Sequence, residues 1–184
     1  MPLSLRLIVL LLISALVTGC DRQKPDAPQA PAAQAESGKG LDRSQKGKLA
    51  PATPFGDPAG KQTSIASFKG TPVLVNLWAT WCAPCVKELP TIEALEAKQK
   101  GKLAVIAVSQ DMDEKATVDK FLTGKKLGRF AAYHDSEMAL SSALGVQILP
   151  TTILFDATGK EVWRFTGDMD WTSAEAAKLL AELD

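Results

Sequence analysis

Cys82 and Cys85 are the side chains best suited to chemistry, two thiols separated only by Ala83 and Pro84 in the run Trp81-Cys82-Ala83-Pro84-Cys85-Val86-Lys87-Glu88-Leu89-Pro90. Two cysteines at this spacing fit either half of a zinc site or a redox pair. A closed zinc site needs four ligands. Outside the pair, the sequence offers one further cysteine, Cys20, and one histidine, His134. The ligand count therefore favours redox chemistry, in which an exposed thiolate attacks a disulfide and a neighbouring thiol displaces it.

Position decides which thiol does what. The pair follows an apolar run and opens a helix, so Cys82 is expected at the helix N-terminus, where free N–H groups and the positive dipole end favour the thiolate. A free thiol with pKa near 8.5 is only a few per cent ionised at neutral pH, and such sites bring it down to roughly 3.5 to 7.5. Cys82 is thus the expected nucleophile. Cys85, one turn further in, is the expected shielded, resolving thiol. Pro84 fits the first turn, where an N–H is not needed.

The elements that must hold this pair can be read from periodicity and turn residues. Residues 73–78, Val-Leu-Val-Asn-Leu-Trp, form a nearly continuous apolar run, the mark of a strand covered on both faces. A helix is predicted over 83–98, with Leu89, Ile92 and Leu95 facing the core and Pro90 inside it, and a second buried strand over 103–108. Asp113 is expected to cap a helix carrying Val118, Phe121 and Leu122 and ending at Gly124. A short strand at 130–133, a short helix at 138–144 capped by Ser136, and a hairpin of strands 151–155 and 161–165 follow. The last helix begins with a capping box, Thr172 to Glu175, and carries Ala176, Leu179, Leu180 and Leu183 on one face. Upstream, the turn residues 56–60 are expected to feed a strand over 65–68 as part of an N-terminal β-hairpin. Trp78, Trp163 and Trp171 read as packing residues and Trp81 as exposed apolar surface. The fold class predicted is α/β, a mixed central sheet with helices on both faces.

The first 19 residues have one cation, Arg6, then an apolar stretch shorter than the roughly 20 residues that cross a bilayer. That is the pattern of a secretory signal peptide. Leu16-Val17-Thr18-Gly19-Cys20 resembles a bacterial lipobox, which implies lipidation of Cys20 and a stable membrane anchor. Residues 20–44 are expected to be the lipidated Cys and a disordered tether rich in Pro, Ala and Gln, and residues 45–184 the folded domain. Cysteine use then closes, one for lipid and two for chemistry. The chain carries 21 cationic and 21 anionic side chains, and loss of residues 1–19 leaves 20 against 21. This balance argues against nucleic acid as a partner.

On the Trp-Cys-Ala-Pro-Cys motif, Glu88, Pro90 and Asn76, the sequence from about residue 49 to 183 resembles the TlpA/ResA group of bacterial thiol-disulfide oxidoreductases. The resemblance implies a thioredoxin-like fold. It also implies that Glu88 tunes the thiols and shuttles a proton from Cys85, and that Asn76, standing where thioredoxin itself has a buried Asp, supports the site. Leu149-Pro150-Thr151 resembles the cis-proline loop of the same family, so Pro150 is expected to be cis, and Trp81, Leu149, Pro150 and Thr151 to meet an extended substrate segment. No cofactor beyond the redox-active disulfide and no metal is expected. The direction implied is reduction of disulfides in exported proteins at the periplasmic face of the inner membrane. The resemblance also implies a membrane thiol-reductant transporter of the DsbD type as the electron supply and cytochrome c maturation, the best-known role of the group, as the setting. A dithiol oxidase of the same fold remains a rival, as does a chaperone or copper-binding module. Related copper carriers place three residues between their cysteines, so His134 is expected to be structural or solvated. A peroxidase is disfavoured because no activating Arg or Gln stands beside the pair.

Overall fold

The computed structural model describes residues 40–127 and 131–183. The expected signal peptide, Cys20 and most of the tether lie outside the described residues, as does Phe130. Eight strands form one sheet in the order β1-β8-β7-β4-β5-β6-β2-β3. They are β1 (Gly40–Asp42), β2 (Phe55–Gly56), β3 (Gln62–Thr63), β4 (Val73–Trp78), β5 (Ala104–Ser109), β6 (Tyr133–His134), β7 (Thr151–Phe155) and β8 (Glu161–Thr166). The helices are α1 (Ala83–Gln99), α2 (Lys115–Gly124), α3 (Ala139–Ala143) and α4 (Ala174–Leu180). β4, β5 and β6 run parallel, joined by helical crossovers, and the remaining pairs are antiparallel.

Alternation along the central strands builds two cores. Val73, Val75 and Leu77 of β4, with Ile106 and Val108 of β5, pack against Leu140 and Leu144 of the α3 region and against Ile65. Leu74 and Trp78, with Val105 and Ala107, pack against Leu89, Ile92 and Leu95 of α1, Val118 and Leu122 of α2, and Ala176 and Leu179 of α4. Every residue of β4 is buried, which explains why its sequence reads as a nearly continuous apolar run broken only by Asn76. Full burial of one large aliphatic or aromatic side chain contributes about 1.5–3 kcal/mol, so this strand and α1 anchor the loop between them.

Several boundaries differ from those read in the sequence. The tether was expected to reach residue 44, yet Gly40–Asp42 pair antiparallel with Arg164–Thr166. The edge of β8 offers main-chain hydrogen bonds that polar residues can satisfy without any apolar signature. The N-terminal hairpin is formed by β2 and β3, and Ile65–Phe68 is a turn of 3₁₀ helix rather than a strand. One Asp57 side-chain oxygen accepts from the N–H groups of Ala59 and Lys61, which closes the turn and returns the chain to pairing at Gln62. α2 starts after Glu114 rather than Asp113 and ends at Gly124 as expected, with the left-handed residue Lys126 two positions further on. β6 lies at 133–134 rather than 130–133. α3 is capped by Asp135 rather than Ser136. The two Asp135 oxygens accept from the N–H groups of Ala139 and Leu140 at 3.0 and 2.9 Å. The cap of α4 is Ser173, whose hydroxyl accepts from Ala176 N–H, one residue after the expected Thr172.

Candidate active site

The chain leaves the buried end of β4 at Trp78 and reaches α1 through Ala79, Thr80 and Trp81, so Cys82 arrives as the residue that caps α1. Its backbone is extended, φ −89° and ψ 98°, and its Sγ accepts the N–H of Cys85 at 3.4 Å. The free N–H groups of a first helical turn favour negative charge. This sulfur is therefore placed where a thiolate is stabilised when the pair is reduced. Here the pair is oxidised, as a Cys82–Cys85 disulfide. Cys82 is 6% exposed and Cys85 is fully buried, while Trp81 beside them is 69% exposed. A partner sulfur can thus reach Cys82 more readily than Cys85, the order of roles expected for nucleophile and resolving thiol.

Behind the pair lies a buried polar cluster. Glu88, one helical turn after Cys85, is 3% exposed. Its Oε1 accepts from Asn76 Nδ2 at 2.7 Å, and its Oε2 accepts from Met169 N–H at 3.1 Å and from Trp171 Nε1 at 3.2 Å. Asn76 Nδ2 also donates to Thr152 Oγ1 at 2.9 Å. Burial pushes the Glu88 carboxyl up to about 7, against the pull of the donors from Asn76, Met169 and Trp171. A carboxyl poised near neutrality can give or take a proton at working pH. The surface carboxylate that most glutamates form is excluded for Glu88 by its burial.

The third component is the loop before β7. Leu149–Pro150 is a cis peptide bond. Thr151 pairs with Leu77 across β7 and β4, so the loop meets the end of β4 from which the Cys82 segment departs. Pro150 is buried and its carbonyl accepts from Gly167 N–H at 2.9 Å. Leu149 is half-buried and packs against both cores. Thr151, expected to meet substrate, is buried, and its hydroxyl donates to the Ile148 carbonyl at 2.7 Å. It holds the loop in shape and offers little surface, because β7 is already flanked by β4 and β8.

The structure brings Asn76, Cys82, Cys85 and Glu88 together as expected, and adds residues that the sequence did not reveal. Trp171, read as packing, does stack on Trp163 with ring centroids 6.4 Å apart, but it also donates to Glu88. Thr152 faces Asn76 because the two are register partners. Alternation along β7 could have placed Thr152 inward, yet only the strand pairing identifies its partner. His134 is half-buried, with Nε2 2.9 Å from the Asp111 carbonyl. Among the described residues no group of three or more His, Cys, Asp or Glu is arranged to hold a metal ion. Among them, too, no helix is long and apolar enough to cross a membrane.

Comparison with known proteins agrees with this geometry. Residues 45–180 match the Redoxin family model. The thiol-disulfide oxidoreductase ResA of Bacillus thuringiensis is 34% identical over 127 residues, covering 69% of this chain and 73% of the relative. The thioredoxin-like protein YneN of Bacillus subtilis is 33% identical over 122 residues, covering 62% and 68%. Among solved structures, one from Chlorobium tepidum described as a thiol:disulfide interchange protein DsbE superposes with a TM-score of 0.67 at 27% identity, covering 76% of this chain and 98% of that one. A helix-capping cysteine pair, a buried glutamate behind it and a cis-proline loop are thus set in a thioredoxin-like sheet, and the chain belongs to the Redoxin family as a thiol-disulfide oxidoreductase of the ResA type.

Proposed function

We propose that the enzyme works as a reductase of disulfides in exported proteins, tethered through Cys20 to the outer face of the cytoplasmic membrane. In the reduced enzyme the Cys82 thiolate attacks one sulfur of a substrate disulfide. The substrate S–S bond breaks, a mixed disulfide forms, and the departing sulfur leaves as a thiolate that takes up a proton. Cys85 then loses its proton and attacks Cys82 Sγ, which releases the second substrate thiol. Two electrons have passed to the substrate, and the enzyme holds the Cys82–Cys85 disulfide seen here. Glu88 takes the Cys85 proton. The observation that carries this role is a buried carboxyl held near 7 one helical turn behind the resolving thiol. Membrane tethering rests on the signal-like start and the lipobox-like segment. By resemblance, a membrane transporter of the DsbD type regenerates the dithiol, and haem-attachment thiols in cytochrome c maturation are one substrate class.

Two measurements test the proposal. Cys85→Ser should accumulate mixed disulfides on Cys82 with exported proteins, and their identification names the substrates. Redox titration of the pair should give a potential below about −200 mV, whereas one near −120 mV belongs to a strong oxidant and would reverse the direction proposed.

A further inference from the structure

The approach to Cys82 is held by a carboxyl group that the exchange chemistry itself does not use. β4 and β5 end side by side, with Trp78 paired to Ser109 and the Gln110 N–H on the Trp78 carbonyl at 2.8 Å. Two residues beyond each strand end, Thr80 and Asp111 meet. Thr80 N–H is shared between the two Asp111 carboxyl oxygens at 3.2 and 3.0 Å, and the Thr80 hydroxyl donates to Oδ1 at 2.6 Å. The Ser109 hydroxyl donates to Oδ2 at 2.6 Å and accepts the Asp111 N–H at 3.2 Å. Asp111 is 2% exposed, and none of the ion pairs among the described residues includes it. A buried carboxyl group with only hydroxyl and N–H partners is costly unless those bonds are kept. One of those partners, Thr80, lies in the segment that delivers the nucleophile.

We infer that Asp111 is a positioning residue for thiol-disulfide exchange, pinning Thr80 so that Cys82 caps α1 with its sulfur on the Cys85 N–H. This rests on the assignment of Cys82 as nucleophile. The stabilising effect of a helix terminus falls off within one turn, so a sulfur allowed to drift from that N–H loses part of what keeps it ionised. A carboxyl group is required because both oxygens accept from Thr80. In an asparagine, whichever way the amide turns, its nitrogen lies against the Thr80 N–H.

The test follows alkylation of Cys82 in the reduced full chain by iodoacetamide at pH 7, with the modified peptides mapped so that Cys20 and Cys85 are counted apart, which reads the Cys82 thiolate without any protein substrate. Asp111→Asn and Thr80→Ala should each slow alkylation by about threefold or more. Thr80→Ser, which keeps the hydroxyl, should restore the wild-type rate. If Asp111 acted only through its charge, removing that charge would favour the thiolate and Asp111→Asn would react faster, which would overturn the inference. Unchanged alkylation alongside a lower Tm would overturn it too, since that is the mark of a purely structural residue. Should Asp111→Asn fail to fold, the Thr80→Ala and Thr80→Ser pair decides alone. A wild-type chain that alkylates readily yet exchanges with no disulfide would instead count against the proposed function.

Discussion

At the scale of single residues, the buried Glu88 carboxyl gives the protein a pH signature. Its folded-state value of about 7 lies above the ordinary 4.5 because burial disfavours the charged form. Between those two values the folded chain holds a proton that the unfolded chain has released, so stability falls as pH rises through that window and the loss is complete above about 7. The size of the effect is set by the shift and amounts to about 3 kcal/mol. Glu88→Gln cannot ionise, so its Tm relative to the wild type should climb as pH goes from 5 to 8. Parallel stability curves for the two proteins would show that Glu88 ionises as easily folded as unfolded. The variant keeps its packing, because the glutamine oxygen can accept from Met169 and Trp171 while its amide nitrogen turns to Asn76. The buried Asn76 Oδ1, which has no hydrogen-bond partner here, becomes the acceptor once the Asn76 amide rotates.

At the scale of elements, one arginine joins an ion pair within β8 to the end of α3. Arg164 Nε and Nη2 bind the two oxygens of Glu161 at 2.7 Å each, and Arg164 Nη1 donates to the Leu144 carbonyl at 2.9 Å, just beyond α3. The Glu161 side chain is 3% exposed, so removing the arginine strands a buried charge. Arg164→Met should therefore cost about 3–5 kcal/mol, seen as a lower urea midpoint at unchanged slope. Adding Glu161→Leu should recover most of that loss. No recovery would mean that the Leu144 bond, not the charge pair, carries the effect. This pair was not legible in the sequence, where Glu161 and Arg164 read only as members of a strand. β4, β5, α1 and the β7–β8 hairpin were legible because long apolar runs and helical periodicity report burial directly. Asp135 as the cap of α3 was not, since Ser136 next to it is an equally good candidate by type. For the site, Cys82, Cys85 and Glu88 stood in one continuous motif. Trp171, Thr152 and Asp111 reach it through strand register and loop closure, which no local pattern encodes.

At the scale of the whole molecule, the sheet places the start of the described chain at its catalytic end. Gly40 pairs with Thr166, Thr166 with Thr151, and Thr151 with Leu77, so one row of residues runs from the chain entry to the strand that delivers Cys82. The same row includes the residue after cis Pro150, and the hydroxyls of Thr151 and Thr166 lie 3.4 Å apart. β1 therefore does more than cover an edge, because it braces the strand pair that supports the cis-proline loop. Arg43, just after β1, also pairs with Glu182 beyond α4, tying the entry to the last helical turn. A chain that begins at Gln45 lacks both attachments and leaves the Arg164–Thr166 stretch of the β8 edge unpaired, a template for association with other strands. Compared with a chain that begins at Gly40, it should unfold at a Tm lower by roughly 3–6 °C, as expected for the loss of one to two kcal/mol in a domain of this size. It should also show faster amide exchange at Thr151 and Thr166. Equal Tm values and equal exchange would mean that β1 pairs with the sheet without supporting the loop, and that the catalytic end is held by β4, β7 and β8 alone.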